Sequence, residues 1–188
     1  CNLDLLNTSD LPFRQLLLQD VLLDNVRDYV SQMTIPYLTS LELASTDQEV
    51  YHNAYKAEVF RNLVKCVSQS LMELTFTTVD FPSTNALSIF HMAQNLLRLS
   101  IVEQNRVQMR LITPNFIQGL YDPRMLPALQ HLQLVWLESA DEAAVMDLVE
   151  HRAFESVVIG VRMGGGLRGD TLSRVDALQK RGTMITLW

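Results

Sequence analysis

Gly164-Gly165-Gly166-Leu167-Arg168-Gly169 is the stretch of this chain that most resembles a site for chemistry. It spells G-x-G-x-x-G, follows the β-rich run Val157–Arg162 and precedes a helical pattern, the order in which backbone amides and a helix start cradle a pyrophosphate. A dinucleotide loop also needs an acidic residue about 20 positions on, at the end of the next strand, to hold the ribose. That segment here is Met184-Ile185-Thr186-Leu187-Trp188, without a carboxylate. No cofactor is therefore expected, and the glycines are expected to form a loop between the sixth strand and the last helix. The alternative, an α/β nucleotide-binding enzyme domain using residues 164–169, stays as a competing reading.

Other reactive residue types lack the company that catalysis requires. His52, His91, His131 and His151 share no metal-ligand spacing. Asp141-Glu142 reads as a helix start, because adjacent side chains diverge on a helix and cannot share one proton. Cys1 and Cys66 make no disulfide framework, and Cys66, beside Leu63, Val64 and Val67, reads as a small core residue. There is no G-x-S-x-G elbow and no Cys/His pair. The expectation is a protein without catalytic or metal-binding residues.

What must position any functional side chain is a repeated spacing. Phe13-Arg14-Gln15-Leu16-Leu17-Leu18 returns as Leu38-Thr39-Ser40-Leu41-Glu42-Leu43 and Leu71-Met72-Glu73-Leu74-Thr75-Phe76. Three more copies start at Leu96, Leu129 and Phe154, a looser one at Gly182, and half of one stands at Leu3-Asp4-Leu5. The first six anchors are alternately 25 and 33 residues apart (38 − 13, then 71 − 38). Such self-similarity signals a solenoid, and L-x-x-L-x-L is the strand half of a leucine-rich repeat. The expected fold is α/β: a leucine-rich-repeat horseshoe arc spanning residues 1–188, with a parallel concave sheet and convex helices. Because the chain opens in mid-repeat at Cys1, it is expected to be the C-terminal piece of a longer protein.

Between the strands the pattern turns helical. Val50, Ala54, Ala57, Phe60, Val64 and Val67 form one stripe of a helix over about 47–68, with Thr46 and Glu49 as its capping box. Ser139 and Glu142 form a second box. Thr113 caps a helix that opens on Pro114, and Asp170 or Thr171 caps another that stops at Gly182. Leu11-Pro12, Ile35-Pro36 and Leu126-Pro127 mark helix-to-strand turns.

Within each strand, period 2 sends residues between the inner apolar pair to the concave face. The expected protein-binding residues are Glu42, Glu73, Thr75, Arg98, Ser100, His131, Gln133 and Trp136, while Trp188 reads as a cap on the last strand. Arg and Trp are the types that anchor interfaces. The net charge of −6, without a basic run, argues against nucleic acid and against anionic membrane surfaces. No run of 18 apolar residues and no leader-like segment appears, which points to the cytoplasm or nucleus.

From Leu111 onward the chain resembles the C-terminal leucine-rich-repeat region of basidiomycete fungal F-box proteins. The residues carrying the resemblance are Leu111-Ile112-Thr113-Pro114, Leu126-Pro127-Ala128-Leu129-Gln130-His131-Leu132, Asp147-Leu148-Val149-Glu150-His151-Arg152 and Leu178-Gln179-Lys180-Arg181-Gly182. The resemblance implies substrate recognition for a cullin-type ubiquitin ligase, with a Skp-type adaptor held by an N-terminal F-box outside these 188 residues. A leucine-rich-repeat scaffold or receptor unrelated to ubiquitin fits the same repeats.

Overall fold

The computed structural model describes residues 14–19, 37–44, 53–77, 83–103, 110–137, 141–162 and 166–188. Seven strands form one all-parallel sheet whose order follows the chain. They are β1 (Gln15–Gln19), β2 (Ser40–Ala44), β3 (Glu73–Thr77), β4 (Arg98–Val102), β5 (His131–Trp136), β6 (Ser156–Val161) and β7 (Met184–Leu187). Five helices lie among the described residues: α1 (Asn53–Val67), α2 (Ser83–Phe90), α3 (Pro114–Tyr121), α4 (Glu142–His151) and α5 (Gly169–Lys180). The fold is α/β, and the strand starts keep the spacing read from the sequence. The half-copy at Leu3, the turns at Pro12 and Pro36, Val50 and the Thr46/Glu49 box lie outside the described residues.

Alternation decides which side of each strand meets the helices. Leu41, Leu74, Leu99, Leu132 and Val157 stand in register and are buried, as are Leu43, Phe76, Ile101, Leu134 and Ile159 two residues further on. The helices close over them with Phe60, Val64 and Val67 of α1, Ile89 and Phe90 of α2, Phe116 and Ile117 of α3, and Val145 and Met146 of α4. An aromatic spine runs through this layer. Phe60, Phe76, Phe90 and Phe116 follow one another with ring centroids 5.5, 6.0 and 5.8 Å apart, in edge-on or tilted geometry.

Helix ends follow local chemistry, with two departures. Thr113 accepts from the Phe116 N–H, and Pro114 opens α3 where no amide donor is missed. Gly182, at φ +94°, ends α5: its N–H donates to Gln179 O and that of Thr183 to Leu178 O, the paired bonds of a Schellman turn. The cap of α4, however, is Asp141, which accepts from Ala144 N, whereas Ser139 lies outside the described residues. Likewise α5 begins at Gly169 with Arg168 as its N-cap and no side-chain cap bond of its own, in place of Asp170 or Thr171.

Cys66 also departs from expectation and is exposed. The buried positions 60, 63, 64 and 67 fix the inner stripe of α1, and a 100° step per residue carries position 66 to the outside. No helix among the described residues is long and apolar enough to cross a membrane.

Candidate functional site: the open face of the sheet

The side chains opposite the helices form straight rows, because parallel strands in register stack like residues side by side. One row is Gln15, Ser40, Glu73, Arg98, His131, Ser156 and Met184. The next is Leu17, Glu42, Thr75, Ser100, Gln133, Val158 and Thr186. Seven of the eight residues expected to bind stand in these rows: Glu42, Glu73, Thr75, Arg98, Ser100, His131 and Gln133.

Trp136 does not. It shares the parity of Leu132 and Leu134, points toward the helices and is 1% exposed. Its place is the core, and the alternation already visible in His131-Leu132-Gln133-Leu134-Val135-Trp136 accounts for it. Trp188 is exposed and packs against the sheet end, with the Arg162 guanidinium 5.6 Å from its ring. Gly160 makes that approach possible, since a Cβ there would come within 2.7 Å of Trp188 Cβ.

Register partners on the open face bond to one another. Arg98 Nη1 donates to Glu73 Oε1 at 3.2 Å, between β4 and β3. Ser100 Oγ donates to Gln133 Oε1 at 3.0 Å, between β4 and β5. His131 Nδ1 and Ser156 Oγ are 2.7 Å apart, between β5 and β6. These cross-strand pairs fix the side chains in a surface that is polar at its centre. The Ser156 and Glu155 contributions are absent from the expected set; their signal is the cross-strand register itself.

Ser156, His131 and Glu155 deserve a chemical reading, since His131 Nε2 also lies 4.0 Å from Glu155 Oε2. The order hydroxyl, imidazole, carboxylate is that of an activated nucleophile. An acyl-transfer site further needs donors aimed at a developing oxyanion. The amides nearest the hydroxyl, those of Glu155 and Ser156, already donate to Gln130 O at 2.8 and 3.3 Å. The arrangement can exchange hydrogen bonds with a ligand.

The glycine loop meets an occupied helix start. Gly164 and Gly165 lie outside the described residues, while Gly166 has φ +85°. At the start of α5 the Glu142 carboxylate accepts the Arg168 N–H at 3.0 Å and the Thr171 hydroxyl at 2.6 Å. Two donors a phosphate would use there are satisfied by the chain's own anion.

Two other charged groups hold the frame. Glu103, buried just after β4, accepts the Ile112 N–H at 2.8 Å, and desolvation raises its pKa despite backbone donors at Ile112, Leu111 and Leu137 and the Arg110 charge. Arg152 donates to the carbonyls of Leu120, Met125 and Leu126 at 3.1, 3.0 and 2.7 Å, and burial pushes its pKa down. Leu126 carries φ +54°, a left-handed conformation for a buried leucine, and its carbonyl is the closest of the three. Comparison with family models, with curated proteins and with solved structures finds no match for this chain.

Proposed function

We propose that this chain is a leucine-rich-repeat solenoid whose open face binds a protein partner, without catalysing a reaction. Within that class, the reading the sequence favours is the substrate-recognition region of an F-box protein serving a cullin-type ubiquitin ligase. The observation that carries the binding role is the set of in-register rows on the face opposite the helices. Arg98, His131, Ser100 and Gln133 come from two adjacent strands, are fixed by cross-strand bonds and lie outside the helical layer. Parallel strands in chain order with helices on one side suit a stacked-repeat protein, whose extended face characteristically binds macromolecules.

The link to ubiquitin rests on the resemblance of residues 111–182 to fungal F-box repeats. It is tested by tagging the whole gene product in its native cell and identifying what co-purifies. A Skp-type adaptor and a cullin should be retained, together with a further protein lost on Arg98→Ala. Retention of that protein without adaptor or cullin would favour a scaffold outside ubiquitin transfer.

A further inference from the structure

The open face is uneven in charge and polarity. Its carboxylates in β3 and at the start of β6 have side-chain neighbours: Glu73 meets the Arg98 guanidinium at 3.2 Å, and Glu155 stands 4.0 Å from the His131 ring. Glu42, half-buried in the centre of β2, takes part in no ion pair and no side-chain hydrogen bond among the described residues. Arg14, in the residue preceding β1, is exposed and forms no ion pair with it. A carboxylate without a partner on its own chain is free to form a charge-assisted contact with a cation that docks on it.

One of its two register partners is apolar. Leu17, the register partner of Glu42 on β1, is 54% exposed. Tyr37, in the turn that leads to β2, and Met72, immediately before β3, are also exposed. Of the other large exposed apolar residues, Leu172 lies on α5, and Met184, Leu187 and Trp188 lie in or just after β7, at the opposite end of the sheet. Leu17 thus offers exposed apolar surface next to the carboxylate. Thr75, the other register partner of Glu42, adds a hydroxyl beside it.

Resting on the protein-binding reading above, we infer that the β1–β3 end of the open face selects a protein segment in which a lysine or arginine stands beside an apolar residue. The cation pairs with Glu42 and the apolar side chain covers Leu17. The chain's net charge of −6 draws such a segment in and repels acidic ones.

The test uses a displayed library of random twelve-residue peptides, selected in parallel on the wild-type chain and on Glu42→Arg. Wild type should enrich peptides with a basic residue next to an apolar one, and Glu42→Arg should enrich acidic residues at that position. Glu42→Gln should weaken a selected basic peptide by roughly tenfold, the loss of one charge-assisted contact, and Leu17→Ser should weaken it as well. Unchanged melting of Glu42→Gln excludes misfolding as the cause. The same basic preference in Glu42→Arg, no charge preference, or no enriched peptide would each overturn the inference. Peptides insensitive to Glu42 but lost on Arg98→Ala would leave the wider binding face standing. Peptides insensitive to both and lost on Lys65→Glu, on the helical side, would remove that reading too.

Discussion

The Glu142 carboxylate of α4 stands 2.6 Å from the Thr171 hydroxyl and closes the start of the following helix. Both side chains are buried, and the same carboxylate oxygen accepts the Arg168 N–H. Helix α4 thus supplies the cap that α5 lacks. Glu142→Ala should destabilise the chain by about 1–3 kcal/mol, because the buried Thr171 hydroxyl and the part-buried Arg168 N–H lose their acceptor. Glu142→Gln, which keeps an acceptor oxygen, should cost less. Urea unfolding of both variants checks the ranking; equal losses would mean that the packed volume matters and the cap does not.

The core layer makes a larger prediction. Leu99 and Leu132 are register partners, buried between neighbouring strands and the helices. Truncating either to Ala should cost about 2–5 kcal/mol, since methylene groups are lost and a cavity is left. In the proposed stacked-repeat reading contacts pass only between neighbouring units, so the damage should also broaden the transition. Wild-type midpoints in thermal melts would contradict the assigned register.

Arg152 ties three carbonyls at the end of α3 and the turn into β5. Arg152→Met keeps much of the stem packing on Phe154, whose ring lies 5.4 Å from the guanidinium, but removes the donors. The expected loss is about 1–3 kcal/mol for carbonyls left without donors. Hydrogen exchange should quicken at Leu129–His131 before it does at β3. Exchange that stays unchanged in the turn would show that Leu126 holds its left-handed conformation unaided.

Two carboxylates should respond to pH with opposite signs. The Arg124 guanidinium and N–H hold Asp122 down at about 2. Its contribution is therefore present above the ordinary aspartate value and lost as pH falls through about 2. Arg124→Ala should flatten that acid limb. Glu103 is raised by burial, so its folded form binds a proton more readily than its unfolded form. Stability from Glu103 is then greatest in acid and declines as pH rises through the raised value. In Glu103→Gln that decline should vanish. Denaturation midpoints measured across acid pH separate the two, and a Glu103→Gln curve parallel to wild type would refute the second.

Much of this architecture was legible in the sequence because strands obey period 2 and the repeat spacing fixes their register. Ser100 and Gln133 could be placed side by side from spacing alone, and they bond in the structure. Trp136 was misplaced because its residue type suggested an interface while its parity with Leu132 and Leu134 pointed inward. Cys66 was misjudged from its sequence neighbours, which on a helix face other directions. Glu142 looked like half of a local capping box, yet its carboxylate caps the next helix along the chain. Local patterns carry no record of such contacts, nor of the isolation of Glu42, which is a property of what fails to reach it among the described residues.

The claim that the open face is the working surface is tested most directly by photo-crosslinking. A photoreactive amino acid is placed at Gln133, on the open face, or at Lys65, exposed on α1, in the tagged whole gene product in its native cell. Crosslinked proteins are then identified by mass spectrometry. The account predicts one recurrent partner crosslinked from position 133, absent from position 65 and lost when Arg98→Ala is added. A recurrent partner captured from position 65 and not from 133 would contradict it.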